Sequence, residues 1–197
     1  MIPPLINLHG FLAASDSPKV IALERSLPSP GAAVEFIAPT LPDQPRAAFQ
    51  AAEQLIQDCL AAGHKPGLMG HSLGGYFATF LAQKYDLRAV LVNPLVRAYE
   101  LLCEYYGPCF NPHTGNHFSI EAADIQFLTE IYLQPLPEPS RFLVLLQAGD
   151  EILDPEEARE YYRGADIIVE PGGCHDFTGL ERYTARVLEF LFGAAAR

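Results

Sequence analysis

The stretch that decides the fold reads Gly67-Leu68-Met69-Gly70-His71-Ser72-Leu73-Gly74-Gly75. It contains the pattern G-x-S-x-G, in which a serine occupies a sharp turn between a buried strand and a helix. Small residues on both sides of such a turn let the strand and helix backbones approach each other. Ser72 is therefore the candidate nucleophile. A serine that only caps an ordinary helix is the alternative.

Strands and helices alternate along the rest of the chain. Apolar runs predict strands at 5–8, 34–37, 67–70, 89–92, 141–147 and 167–170. Apolar periodicity and capping signals predict helices near 17, over about 48–62, over 73–85, over about 155–162 and over about 181–192. This alternation implies right-handed crossovers and a mostly parallel sheet of about six strands with helices on both faces. The predicted fold class is α/β.

The segment from about 96 to 137 departs from this alternation, because a plain crossover between two strands needs far fewer residues. We expect a small helical cap there, inserted into a single domain of residues 1–197. Its aromatic side chains suit an apolar substrate pocket, with Tyr105 and Phe110 as the candidates for substrate binding. The alternative is that these rings fill a small core within the cap.

A histidine follows the last predicted strand, in Gly172-Gly173-Cys174-His175. A serine hydroxyl needs an adjacent base, which is in turn oriented by a carboxylate. The glycine pair gives the loop the freedom to bring His175 back over the sheet. His175 is the candidate general base.

Three carboxylates, Asp150, Glu151 and Asp154, follow the fifth predicted strand. Asp154 precedes Pro155, which is typical of a helix N-cap and explains that residue without a catalytic role. Asp150 directly follows the strand and Gly149, where its carboxylate can face the His175 loop. We favour Asp150 as the acid, with Asp154 and then Glu151 as the alternatives.

Two backbone N–H groups are candidates for an oxyanion hole. One belongs to Leu73, the residue after the candidate nucleophile, and the other to Phe11 in the loop after the first strand. If the strands lie in the spatial order 2-1-3-4-5-6, the first and third are neighbours. Both donors then converge beside Ser72.

The composition excludes several classes of protein. The net charge is −11, and no run of Lys or Arg could follow a phosphate backbone, so nucleic acid is not an expected partner. No stretch of about 18 apolar residues predicts a membrane span, and the N-terminus lacks a signal-peptide pattern. A cytoplasmic protein with free thiols is the expectation. Metal-ligand residue types in the cap are interrupted by Pro108, Pro112 and Gly115, so we do not expect a metal site there.

Together these residues resemble the small YqiA-type esterases of the α/β-hydrolase superfamily. The shared pieces are Leu8-His9-Gly10-Phe11, Ser72-Leu73-Gly74-Gly75-Tyr76, Val92-Asn93-Pro94, Gly149-Asp150-Glu151 with Leu153-Asp154, and Gly172-Gly173 with His175 and Phe177. The resemblance implies the α/β-hydrolase fold and a cytoplasmic carboxylesterase or thioesterase that uses neither a metal nor an organic cofactor. Its substrate would be a small-molecule acyl ester or thioester. In one departure from the superfamily, Ile152 occupies the position three residues after a glycine where the acid usually stands.

Two other functions remain open at this point. A binding protein could keep this fold without turnover, since a fold does not fix an activity. The same three side chains could also hydrolyse a C–C bond. The sequence leaves the substrate, the acyl-chain preference and the oligomeric state undetermined.

Overall fold

A computed structural model of the chain describes residues 2–27 and 34–193. Its strands are β1 (Pro4–Leu8), β2 (Glu35–Ile37), β3 (Gly67–His71), β4 (Ala89–Val92), β5 (Gly107–Phe110), β6 (His117–Ile120), β7 (Phe142–Gln147) and β8 (Asp166–Glu170). Six of them form one parallel sheet in the order β2-β1-β3-β4-β7-β8. The predicted sheet and its strand order are confirmed. The predicted domain spans 1–197, of which residues 1, 28–33 and 194–197 lie outside the described part.

Seven helices accompany the sheet in this part of the chain: α1 (Pro18–Ser26), α2 (Pro45–Ala61), α3 (Leu73–Lys84), α4 (Ala98–Cys103), α5 (Ala122–Glu130), α6 (Pro155–Tyr161) and α7 (Thr184–Phe192). Proline opens α1, α2 and α6, where its missing N–H costs nothing. The helix predicted over about 181–192 begins instead as a 3-10 turn, Leu180–Tyr183, before α7. None of the described helices has both the length and the apolar character needed to cross a bilayer.

Alternate residues of the strands face two separate cores. On one face, Leu5, Met69 and Val90 pack in a cluster with Leu23 of α1 and Leu188 of α7. The opposite face packs against α2, α3 and the segment between β4 and β7. Because both faces are covered, every residue of β4 is fully buried. This accounts for the continuous apolar run that predicted the strand.

The segment predicted as a helical cap contains an antiparallel hairpin as well as helices. It consists of α4, the hairpin β5–β6 and α5. In the loop of the hairpin, the Gly115 N–H donates to Asn111 O over 2.8 Å. Gly115 has a φ of 74°, a conformation that favours glycine. Phe118 and Phe127 are buried in the same core as α2 and α3. These two rings therefore pack into the main core.

The first turn of α3 lies directly against the end of β1. A Cβ at Gly74 would lie 2.1 Å from the carbonyl oxygen of Leu8, and a Cβ at Gly70 would lie 2.4 Å from that of Gly74. These neighbours are backbone atoms, which cannot turn away as a flexible side chain could. Only glycine fits at either position, and the approach fixes the angle at which the chain leaves β3.

Replacing Gly74 with Ala should therefore destabilise the protein by at least about 3 kcal/mol, the upper end of the range for overpacked cores. Gly63→Ala is the matched control, because a Cβ there meets nothing within 4 Å. The only cost in that variant is the strain of an alanine at a positive φ of 81°. That variant should lose about 1–2 kcal/mol. Urea unfolding of both variants measures the difference, and equal losses would contradict the close approach.

Candidate active site

The predicted site residues gather at the carboxyl edge of the sheet. Ser72 follows β3, Asp150 lies three residues after β7, and His175 lies in the loop after β8. The loop with Phe11 follows β1, which is the direct neighbour of β3. Ligand sites of open parallel sheets lie at this edge, where the strand order reverses.

Ser72 lies on a strained turn between β3 and α3. Its backbone angles are φ 54° and ψ −121°, which a side-chain-bearing residue rarely adopts. The Ser72 N–H donates to Val92 O over 3.2 Å, and the Ser72 carbonyl accepts from the Gly75 N–H over 2.9 Å and from the Leu95 N–H over 3.1 Å. Such strain persists only where surrounding contacts hold it. Here β4 and α3 supply those contacts.

His175 and Asp150 are in direct contact. The ring Nδ1 of His175 lies 2.9 Å from Asp150 Oδ2 and 3.1 Å from Oδ1. The same carboxylate accepts the N–H groups of Ile152 and Leu153, each over 2.9 Å. Burial opposes ionisation of Asp150, but the hydrogen bonds from His175 and the two amides outweigh it and lower the pKa of the carboxyl. An ionised Asp150 keeps the proton on Nδ1, so Nε2 is left as the basic nitrogen.

The other two carboxylates of this loop have different partners. Asp154 Oδ1 accepts the Glu156 N–H over 2.9 Å at the start of α6, so the predicted helix cap is confirmed. Glu151 Oε2 accepts the backbone N–H of His175 over 3.0 Å. Of the three carboxylates, Asp150 is the one that contacts the imidazole ring, while Glu151 holds the backbone of the same residue.

A buried amide side chain, Asn93, fixes the His175 loop from the end of β4. Its Nδ2 donates to Cys174 O over 3.0 Å and to His175 O over 2.9 Å, while its Oδ1 accepts the Gln147 N–H over 3.0 Å. Asn93 has a φ of 39° and is 2% exposed. Sequence reasoning gave this residue no role. Its signal was a polar residue directly after a buried apolar strand.

A second buried amide, Gln147 at the end of β7, supports the same loop. Its Oε1 accepts the N–H groups of Cys174 over 3.0 Å and Thr178 over 2.9 Å, and its Nε2 donates to Thr178 O over 2.9 Å. A Cβ at Gly173 would lie 2.1 Å from that Oε1. Gly173 therefore makes room for the Gln147 side chain, whereas a Cβ at Gly172 would meet nothing within 4 Å.

His71, next to the candidate nucleophile, connects the loop to α1. Its Nε2 lies 2.7 Å from His175 O, and its Nδ1 lies 3.0 Å from Lys19 Nζ. Burial, followed by the charge of Lys19, lowers the pKa of His71 to about 3, so its ring is neutral. Lys19 Nζ also lies 3.1 Å from Nε2, but the His175 carbonyl can only accept, so Nε2 carries the proton and donates to it, and Nδ1 is the acceptor.

The candidate oxyanion donors lie on either side of Ser72. A Cβ at Gly10 would lie 3.1 Å from Ser72 Cβ, so the loop after β1 runs directly beside the serine. His9 holds this loop, because its Nε2 accepts the Leu41 N–H over 3.0 Å. Neither the Leu73 N–H nor the Phe11 N–H donates to any atom of residues 2–27 and 34–193. Phe11 and Ser72 line the same cavity, and Leu73 follows Ser72 in the chain.

A cavity of about 410 Å³ opens at Ser72 and His175. Its apolar wall comes from the β1 loop, α1 and the residues after His175, including Phe11, Val20, Leu23, Phe177 and Leu180. No hydrogen bond joins the Ser72 hydroxyl to the His175 ring among the described residues, although both side chains line this cavity. Such contacts are often long in the absence of substrate.

Tyr105 and Phe110, predicted from the sequence to bind substrate, do not line this cavity. The Tyr105 ring packs edge-on against Phe11 at 5.2 Å between centroids, and the Phe110 ring lies 4.8 Å from that of His117. Phe110 lies on the hairpin and Tyr105 lies just before it, and each of the two is more than 40% exposed. From the cap segment, His113 reaches the cavity instead.

The described residues contain no group of three or more His, Cys, Asp or Glu side chains that could hold a metal ion. All four cysteines are free thiols, as predicted. The Cys103 thiol donates to Tyr99 O over 3.1 Å, and the Cys109 thiol donates to Tyr105 O over 3.3 Å.

Comparison with known proteins finds one matching family and many similar structures. The profile of the uncharacterised protein family UPF0227 matches residues 4–192. Est1E from Butyrivibrio proteoclasticus with bound ferulic acid is 15% identical with a TM-score of 0.74, over 99% of this chain and 90% of its own. Mouse alpha/beta hydrolase domain-containing protein 10 is 18% identical with a TM-score of 0.68, over 96% and 90%. Monoacylglycerol lipase from Paleococcus ferrophilus is 16% identical with a TM-score of 0.64, over 96% and 95%. These similarities show the α/β-hydrolase fold.

The Asn93 contacts generate a stability prediction. Asn93→Asp keeps the shape but replaces two donated hydrogen bonds with a carboxylate oxygen facing two carbonyl oxygens. It should lower the free energy of unfolding by at least about 1–3 kcal/mol at neutral pH, since a buried carbonyl loses its donor. The control is Gln57→Glu, which makes the same amide-to-carboxylate exchange at an exposed side chain and should cost less than about 0.5 kcal/mol. Chemical denaturation compares them, and a silent Asn93→Asp would show that this amide does not hold the loop.

Proposed function

Because the chain belongs to the uncharacterised protein family UPF0227 and has the α/β-hydrolase fold, we propose that it is a serine hydrolase that cleaves carboxylic ester or thioester bonds. This is the YqiA-type family that the sequence motifs indicated. One observation carries the proposal: the buried Asp150 carboxylate contacts His175 Nδ1 beside the cavity that Ser72 also lines.

Each of the three side chains has a distinct role in the proposed reaction. His175 Nε2 takes the proton of the Ser72 hydroxyl as the oxygen attacks the carbonyl carbon of the substrate. Asp150 keeps the ring in the correct tautomer and stabilises the imidazolium that forms. The protonated ring then gives its proton to the departing alcohol or thiol, which leaves an acyl group on Ser72. His175 next activates a water molecule that releases the acid.

The N–H groups of Leu73 and Phe11 are the proposed oxyanion donors. The carbonyl oxygen gains negative charge in the tetrahedral intermediate, and donors fixed in advance stabilise that charge at no reorganisation cost. The Leu73 amide also belongs to the first turn of α3, where the helix dipole favours an anion. The strained turn at Ser72 places the nucleophile and one donor on adjacent residues.

The similar structures support a small-molecule ester as the substrate. One of them has ferulic acid bound, and another is a monoacylglycerol lipase. The apolar wall of the 410 Å³ cavity suits the acyl or alcohol part of such an ester. Tyr105 packs behind Phe11, so we assign it at most an indirect part in substrate binding and assign Phe110 none.

Ser72→Ala should abolish the hydrolysis of 4-nitrophenyl esters and leave the unfolding midpoint within error, because the hydroxyl alone forms the acyl bond. Ser140→Ala is the matched control, since Ser140 is exposed and lies before β7, at the opposite edge of the sheet. It should retain full activity. Hydrolysis by Ser72→Ala above about 1% of the wild-type rate would remove the serine from the mechanism, since losses of about 10⁶ are known for such nucleophiles.

The two aspartates of the β7 loop should give opposite results. Asp150→Asn should lower kcat by roughly 10²–10⁴, because the amide favours the wrong tautomer of His175. Asp154→Asn should change neither kcat nor stability, whereas Asp154→Ala should lose about 0.5–2 kcal/mol of stability and keep its activity. Steady-state kinetics and unfolding of all three variants test this. A large kcat loss in Asp154→Asn alone would reverse the assignment.

A further inference from the structure

Lys19 lies in the first turn of α1, and its side chain lines the cavity at Ser72. Its ammonium nitrogen lies 2.9 Å from Asp176 Oδ1 and 3.0 Å from His71 Nδ1. Only 18% of the side chain is exposed. The proposed mechanism gives this buried cation no role.

A buried ammonium group needs an anion beside it, because burial disfavours the charged form. Burial lowers the pKa of Lys19, and the hydrogen bond and charge of Asp176 oppose that change. His71 is neutral and contributes no charge. The Lys19 charge therefore depends mainly on one carboxylate.

Asp176 is a replaceable partner for this lysine. Its side chain is 83% exposed, and one of its oxygens bonds Lys19 Nζ. An ion pair with a carboxylate so open to water contributes little to stability. The carboxylate can turn into water at little cost, whereas the Lys19 side chain is only 18% exposed and lies among the residues that line the cavity.

We propose that Lys19 recognises a carboxylate on the substrate, which replaces Asp176 on Lys19 Nζ. The preferred substrates would then be esters that carry a carboxylate group. This inference rests on the proposed function and assigns a substrate class to the same site.

The position of Lys19 suits this role. It contacts the residue before Ser72, its partner Asp176 is the residue after His175, and the rings of His71 and His175 are 4.8 Å apart. An anion on Lys19 thus lies beside the reacting groups. Val20 and Leu23 of the same helix also line the cavity and suit a short aliphatic chain. Glu181 lines it as well, but it is exposed, so water screens its charge.

Esters with acyl chains of equal length isolate the effect of a carboxylate charge on the substrate. Phenyl hydrogen adipate and phenyl hexanoate have acyl chains of the same length and differ by a terminal carboxylate. A third ester, 4-carboxyphenyl hexanoate, carries the carboxylate on its alcohol side. Release of the phenol gives kcat/KM for all three. The kcat/KM of a charged ester divided by that of phenyl hexanoate reports recognition of the carboxylate. The two charged esters distinguish recognition on the acyl side from recognition on the alcohol side.

Lys19→Met should lower this ratio by about tenfold or more for at least one charged ester, the usual effect of losing a charged hydrogen bond. Asp176→Asn should raise the ratio, because it removes the internal competitor and leaves the substrate carboxylate as the anion that favours the charged form of Lys19. Lys65→Met and Asp86→Asn are the controls, since this pair has the same 2.9 Å contact but is 63% and 69% exposed, outside the cavity. Both controls should keep the wild-type ratio.

An unchanged ratio in Lys19→Met, with all three esters slowed equally, would overturn the inference and leave Lys19 a structural residue. If Lys19→Met does not fold, Asp176→Asn decides alone, and an unchanged or lower ratio there contradicts the inference.

Calorimetric binding of phenyl hydrogen adipate to Ser72→Ala, with and without Lys19→Met, needs no turnover. Lysine-dependent binding without any wild-type hydrolysis would refute the proposed function and support this inference. Hydrolysis with a charged-to-neutral ratio that Lys19→Met leaves unchanged would support the proposed function and overturn this inference.

Discussion

The contact between Gly74 and the end of β1 is the constraint on which the rest of the site depends. Because Gly74 has no side chain, the first turn of α3 lies against the Leu8 carbonyl, and the chain must turn sharply as it leaves β3. That turn forces Ser72 to a φ of 54° and puts it beside Gly10. The strain is local, and the parallel sheet with its two cores offsets it. The proposed nucleophile and oxyanion donors are thus placed by backbone packing.

The proposed base, His175, is held in a different way, by buried hydrogen bonds. The backbone of His175 donates to Glu151 and accepts from Asn93 and His71, while its ring contacts Asp150. A loop fixed at both its peptide groups and its ring needs little rearrangement when substrate arrives, which favours catalysis by preorganisation. Buried amides are costly unless fully paired, so these networks also specify one conformation of the loop.

The sequence was sufficient to predict the sheet, its strand order and the placement of Ser72, Asp150 and His175 at one edge. These features follow from local signals: apolar runs, glycines at turns, and the rule that parallel strands end at a common edge. Asn93, Gln147 and Lys19 escaped prediction because their partners lie far away along the chain. The outward position of Tyr105 and Phe110 was missed for the same reason. For Phe110 it depends on the β5–β6 hairpin, which forms in a segment expected to be a helical cap.

We propose that the turn at Ser72 presents an activated serine, and covalent labelling is the sharpest test of this role. A fluorophosphonate reacts with a serine hydroxyl only when a neighbouring base activates it. After reaction with the folded protein, peptide mass spectrometry locates the modified residue. We expect a single adduct, on Ser72, that is lost when the protein is unfolded before labelling. No adduct on the folded protein, or an adduct on a serine outside the cavity such as Ser119, would contradict it.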